Sequence, residues 1–175
     1  MLRAASSGDE DAWREIVRRY AHRVYAMARS RRVSEEVAEE IAQSVFATLA
    51  ERLRSGEYHE QGRFEPWLFR ITINRVRDEI RRTRRHAEPT DPAAFSGQAE
   101  RKSDHQPPEA GHLDALRYAM GQLGEADRDV IELRHHGGLS FRQIADLLEE
   151  PLGTVLARHH RALRKLKEIL EQERR

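Results

Sequence analysis

The 175-residue chain has no cysteine, which excludes disulfides, zinc–thiolate sites and cysteine nucleophiles. No apolar run approaches the roughly 20 residues that span a bilayer. The first residues, MLRAASSGDED, lack the form of a signal peptide. Both absences point to a soluble, cytoplasmic protein with no membrane insertion. Aromatic residues make up only 6%, and hydrophobic residues at 38% barely exceed charged ones at 35%. Any core is therefore thin, and thin cores favour small helical bundles, where each helix buries a single stripe. No strand-like alternation occurs. P-loop, nucleophile-elbow and glycine-rich nucleotide motifs are missing too, so the sequence offers no catalytic residues and does not read as an enzyme.

What the chain does have is uneven charge. Its net charge is only +1, yet Arg75 to His86 holds six arginines against two acids, and Arg158 to Arg175 holds seven basic residues against three acids. Two basic blocks on a nearly neutral chain suggest two contacts with a polyanion; the plainer alternative is a pair of solvated helix ends. Nine histidines raise the question of a metal. The adjacent pairs His135–His136 and His159–His160 cannot each chelate one ion, because neighbours on a helix point about 100° apart. No i, i+4 pair of the H-E-x-x-H kind occurs. The two pairs could cooperate only if the tertiary fold brought them together, so no metal or other cofactor is expected.

Proline divides the chain. Four of the six prolines fall in 87–111, a stretch without periodicity that reads as a linker. It separates a unit at 1–86 from one at 112–175. In the first, Ser7 and Glu10 have capping-box spacing, and Trp13, Ile16, Val17, Tyr20, Val24 and Met27 recur along one helix face. Ser34 caps a second helix with the stripe Val37, Ile41, Val45, Leu49, Leu53. Pro66 suits the first turn of a third helix, with Trp67, Leu68, Ile71, Val76 and Ile80 inward. In the second unit, Leu113, Leu116, Met120 and Leu123 mark a short helix, and EADRDVIELRHH another. Ser140 and Gln143 form a capping box that opens a helix over Phe141 to Leu148, and a last helix starts near Leu152.

A short capped helix, a tight turn and a longer basic helix are the ingredients of a helix-turn-helix, whose second helix lays its N-terminal side chains in the DNA major groove. Here Val155, Ala162, Leu163 and Leu166 would pack inward. Thr154, Leu156, Ala157, Arg158, His160 and Arg161 would face out, and Arg158, Arg161, Arg164 and Lys165 could reach phosphates or guanine edges. An ordinary helical hairpin is the alternative for this segment taken alone. In the first unit, the loop from Ser55 to Arg63 carries Tyr58, His59 and Gln61, side chains suited to hold a base turned out of the stack.

Three segments, in order, carry a resemblance. EEVAEEIAQSVFATLAERL, GRFEPWLFRITINRVRDEIRR and LGEADRDVIELRHHGGLSFRQIADLLEEPLGTVLARHHRALRKL resemble the bacterial sigma-70 factors of RNA polymerase, in the short extracytoplasmic-function (ECF) group. The resemblance implies an all-α fold of two small domains: region 2 at 1–86 and a region 4 helix-turn-helix at 112–175, joined by the proline-rich linker at 87–111. It implies a factor that binds core polymerase at its clamp and flap and directs promoter-specific initiation. Its partners would be the polymerase, promoter DNA and an anti-sigma factor. It places −10 contacts at Tyr58, His59, Gln61, Trp67, Arg70, Asn74, Arg77 and Arg81, and −35 contacts at Ser140, Arg142, Thr154, Leu156, Ala157, Arg158, His160, Arg161 and Arg164. Polymerase docking falls on Glu39, Glu40 and Gln43.

The chain also departs from that pattern. Leu68 stands where housekeeping relatives carry a second wedge aromatic beside Trp67. Ser44 follows Gln43 where another acid is common. Glu149 holds a turn position often given to glycine, where a left-handed conformation is convenient. Leu156 and Ala157 replace a frequent Lys-Ser and could touch thymine methyls. His159 replaces an aliphatic residue and should face the bracing helices. The competing reading is a helix-turn-helix regulator with an N-terminal sensor bundle; the likeness of the first unit to polymerase-docking and −10 segments argues against it.

Overall fold

The computed structural model describes residues 1–58, 62–86 and 110–173. Among them are eight helices and no strand: α1 Leu2–Ser6, α2 Glu10–Arg29, α3 Glu35–Arg54, α4 Phe64–His86, α5 Ala110–Gly121, α6 Glu125–His135, α7 Phe141–Leu148 and α8 Leu152–Glu173. None of the described helices is long and apolar enough to cross a membrane.

Helices α2, α3 and α4 pack on one another, with α1 across α2 and α3. Of the stripe expected on α2, Ile16, Tyr20, Val24 and Met27 are buried, while Trp13 and Val17 are half-buried. The cap differs from expectation. Ser7 ends α1 and spends its hydroxyl on Arg3 O at 3.0 Å. Gly8 then turns the chain with φ +90, and Asp9 takes over as cap, accepting from Ala12 N at 2.9 Å. Ser34 caps α3 as read, accepting from Val37 N, and Ile41, Val45, Leu49 and Leu53 are buried beneath it. In α4 the buried set is Phe64, Leu68, Phe69, Thr72, Ile73 and Val76; the expected Trp67, Ile71 and Ile80 are half-buried. Phe69 and Ile73 go inside because α4 has neighbours on two sides, α2 and α3 on one and α7 on the other. Thr72 satisfies its buried hydroxyl by donating to Leu68 O at 3.0 Å.

In the second unit α5, α6 and α7 each pack against α8. Arg128 holds α5 to α6 by donating to Met120 O, Gly121 O and Leu123 O at 2.8–3.0 Å, which satisfies carbonyls at the end of α5. The Ser140–Gln143 capping box is complete in both directions. Val155, Ala162 and Leu166 of α8 face inward as expected, but Leu163 is 44% exposed. Among the described residues no helix covers its side of α8, since the bracing helices line the face of Val155 and Ala162. Leu113 and Leu116 are exposed as well; Ala119, Met120 and Leu123 make the α5 contact.

The two units touch. One apolar cluster runs from Ile16, Val45, Leu68 and Phe69 of the first into Val130, Leu133, Leu139, Ile144 and Leu147 of the second. The glycines after α6 sit at this junction. A Cβ on Gly137 would come within 2.5 Å of Leu133 O, and one on Gly138, whose φ is +60, within 2.8 Å of Arg23 Nη2.

Glu149 closes α7 in the left-handed region, φ 57 and ψ 38, a conformation that strains any residue with a Cβ. Its contact with Arg70, 3.4 Å and 81% exposed on the glutamate side, stabilises little. Glu149→Gly should therefore stabilise the fold by roughly 1 kcal/mol, seen as a higher urea midpoint at unchanged slope. Glu149→Ala, which keeps the Cβ, should not.

Candidate nucleic-acid interface

At the start of α4, Tyr58 stacks on Trp67 with ring centroids 4.4 Å apart and planes at 27°. Phe64 meets both rings at 6.0 and 6.2 Å. The three rings make an aromatic platform at one end of the first unit, and Trp67 stays half-buried within it. Leu68 is fully buried. The position beside Trp67 is thus a core position in this chain, and its side chain does not extend the platform. His59 and Gln61 lie outside the described residues. Farther along α4, Asn74 and Arg81 are exposed, with Arg81 3.4 Å from Asp78. Arg70 and Arg77 lie on the same helix but reach the second unit. Arg70 donates to Leu147 O, at the end of α7.

On α8, Thr154, Leu156, Ala157, His160, Arg161 and Arg164 are exposed, and so are Ser140 and Arg142 of the preceding turn and helix. Ser140 already uses its hydroxyl in the cap. Arg158 is turned aside: it donates to both carboxylate oxygens of Glu150 at 2.9 Å and is largely covered. Arg161 keeps 55% of its side chain exposed while donating to Asp127 at 3.1 Å. Leu152, Leu156 and Leu163, each 42–44% exposed, form an apolar line down the outward face. An apolar line with cations along its margins can touch thymine methyls while arginines hold phosphates.

Glu39, Glu40 and Gln43 are exposed on the outer side of α3. Beside them a shallow groove of about 510 Å³ runs between α2 and α3, lined by Val17, Tyr25, Ala42 and Phe46. Sequence reading missed Tyr25 and Phe46. Their signal was an aromatic just off each buried stripe.

The fold also brings one histidine of each pair together. His135 Nε2 and His159 Nε2 are 3.3 Å apart, with Phe141 edge-on to His159 at 4.9 Å. His159 faces the bracing helices as expected. Among the described residues no group of three or more His, Asp or Glu could hold a metal ion.

The least anticipated feature is ionic. Arg31, just past α2, is buried against α6, where its guanidinium binds Asp129 and Glu132. Ser30 Oγ donates to Glu132 Oε1 at 2.8 Å. Arg77 binds Asp129 from the other side, and its Nε lies 2.7 Å from Glu125 Oε1. Arg23 donates to His136 O at 3.1 Å and to Gly137 O. Burial works against the Arg31 cation, but Glu132 and Asp129 outweigh it and hold its pKa above the ordinary value. The sequence did carry one hint: Glu132 interrupts the apolar run of α6 between Ile131 and Leu133.

A bundle with a half-buried aromatic platform, a helix-turn-helix with an open second helix, and arginines throughout define a two-part helical DNA-binding protein. The comparisons give its family. Residues 16–86 match "Sigma-70 region 2" and residues 119–168 match "Sigma-70, region 4". The chain is 33% identical over 168 residues to RNA polymerase sigma factor CarQ of Myxococcus xanthus, covering 93% of this chain and 91% of that one. It is 30% identical over 166 residues to ECF RNA polymerase sigma factor RpoE of Cereibacter sphaeroides, covering 91% and 87%. It is also 33% identical over 170 residues to ECF RNA polymerase sigma factor SigE of Mycolicibacterium smegmatis, covering 94% of this chain but spanning only 65% of that relative. Among solved structures, that of CnrH in complex with the cytosolic domain of CnrY superposes with a TM-score of 0.71 at 26% identity, covering 98% and 96% of the two chains. The sigma factor RpoE with the anti-sigma factor NepR from Bartonella quintana shares the fold, at TM-score 0.71 and 20% identity, covering 91% and 97%. The chain belongs to the ECF group of the RNA polymerase sigma-70 factors.

Two histidines report on packing. Burial, then His135, Arg134 and His160, holds the His159 pKa below 6.5; burial, then His135 and His22, does the same for His136. A depressed imidazole pKa means that the folded state prefers the neutral ring. That stability is fully present above the unperturbed value and is lost as the pH falls through the depressed folded values. Urea midpoints should therefore drop between neutral and mildly acidic pH. His159→Leu should flatten the drop, and an unchanged slope would show that the ring does not report.

Proposed function

We propose that this chain is a promoter-reading subunit that recruits core RNA polymerase and directs transcription initiation, with region 2 at 1–86 and region 4 at 112–175. The observation that carries the reading is the presence, in one chain and in this order, of a region 2 and a region 4 match over residues 16–86 and 119–168. Glu39, Glu40 and Gln43, with the adjoining Tyr25 and Phe46 groove, form the polymerase contact. The Tyr58–Trp67 platform, Asn74, Arg70, Arg77 and Arg81 serve the −10 element, the arginines on its backbone and Asn74 on base edges. Arg142, Thr154, Leu156, Ala157, His160, Arg161 and Arg164 serve the −35 element. Arg158 holds the turn through Glu150 and contributes to DNA only by positioning α8. The chain performs no covalent chemistry; the polymerase supplies it, in the cytoplasm. An anti-sigma factor is a fitting further partner, since the similar CnrH was solved with the cytosolic domain of CnrY and RpoE of Bartonella quintana with the anti-sigma factor NepR.

Run-off transcription tests this directly. Purified chain with bacterial core polymerase should yield promoter-dependent transcripts from sites enriched by binding-site mapping. A helix-turn-helix regulator with a sensor bundle would bind DNA but give neither core binding nor transcripts. Replacing Leu156→Lys with Ala157→Ser should change base preference within the −35 element by about 1–3 kcal/mol at the contacted pair and leave core affinity unchanged. An unaltered preference would remove these two residues from the reading surface.

A further inference from the structure

Four arginines of region 2 end on carboxylate or carbonyl oxygens of region 4. Arg31 and Arg77 bind the carboxylates of Asp129, Glu132 and Glu125. Arg23 binds the carbonyls of His136 and Gly137, just past α6, and Arg70 that of Leu147, near the end of α7, each close to the negative pole of its helix. A guanidinium selects such targets for the reason it selects phosphates: paired oxygens with negative charge at hydrogen-bond distance. Glu125, Asp129 and Glu132 lie at i, i+4 and i+7, one face of α6. That face therefore offers region 2 a line of anionic oxygens. The rings lie at the same boundary: Tyr58 and Trp67 line, together with Arg142 and Gln143 of α7, an open cleft of about 780 Å³.

The closure is one-sided. Arg70 and Arg77 are engaged, whereas Thr154, Leu156, Ala157, His160 and Arg164 of α8 point outward and are exposed. We infer that the acidic face of α6 is an internal competitor of promoter DNA for region 2, so that the free chain withholds −10 reading while its −35 helix stays open. This rests on the assignment of Arg70 and Arg77 to the −10 element made above. Arg77 on α6 and Arg70 on the end of α7 cannot serve region 4 and a DNA backbone at once, so binding of either excludes the other. Salt should sharpen the preference: buried ion pairs are screened little, whereas phosphate contacts weaken steeply as salt rises.

The test uses the full-length protein. Asp129→Asn with Glu132→Gln keeps side-chain volume and leaves Arg31 a buried cation without a counter-charge, which the docked state cannot tolerate. Arg31→Met attacks the same contact from region 2, so the two variants check each other, and circular dichroism confirms that both remain helical. Because the chain lacks cysteine, spin labels at Ala47→Cys and Lys167→Cys report the separation of the units without background. The DNA probes are the −10 non-template single strand and the −35 duplex recovered by the promoter mapping. Apparent affinity scales with the open fraction. Both variants should lengthen the label distance and raise affinity for the −10 strand by about tenfold or more, with −35 affinity within about twofold of the parent. Unchanged distances, or opening without a gain in −10 affinity, would overturn the inference while leaving transcription by the holoenzyme intact. A holoenzyme carrying Arg77→Gln that opens promoters as well as the parent would instead overturn the −10 assignment, and the competition with it.

Discussion

The side chain of Arg31 is 2% exposed, and those of Asp129 and Glu132 are 3% and 0%. Removing these ions from water costs several kcal/mol each, and the cost is offset only when every partner is in place. Here that requires Ser30 on Glu132, both carboxylates on Arg31, and Arg77 on the far side of Asp129. A slip of one helical turn along α6 would leave a charge buried and unpaired. The ionic cluster therefore sets the docking register, and the apolar cluster around it supplies area without direction. Which surfaces of the protein meet solvent follows from that register.

Features set by local chemistry were legible in the sequence. Ser34, the Ser140–Gln143 box and the bounds of α7 could be read because a cap and its partner lie three residues apart. The stripes of α2 and α3 were largely legible because each helix buries one main face. Even the left-handed turn at Glu149 could be anticipated. Where the sequence misled, a second neighbour or a missing one was at work. Phe69 and Ile73 are buried because α7 covers the far side of α4, and Leu163 is exposed because no described helix covers its side of α8. Ser7 lost the cap to Asp9 because a short preceding helix already used its hydroxyl.

The ion cluster itself joins residues about a hundred positions apart in sequence, and no local pattern encodes such a pairing. The same limit applies within the candidate site. Basic residues could be identified, but not which of them were already committed. Arg158 and Arg161 look equivalent in the sequence, yet one is clasped by Glu150 and the other stands mostly in solvent. Adjacent histidines likewise divide their roles, His159 packing inward against Phe141 and His135 while His160 faces out. Counting cations locates a nucleic-acid surface; only the fold tells which cations are available to it.

The glycine pair after α6 carries a last consequence. Gly138 is exposed and, in region 4 alone, would look like a turn position that asparagine could fill with little strain. In the docked chain a Cβ there meets the Arg23 guanidinium at 2.8 Å. The side chain that must yield is one holding the end of α6. The range of residues tolerated at this position is thus narrowed by a helix more than a hundred residues away in sequence. Drift at a surface turn would be paid in the geometry between domains before it was felt in the fold of either.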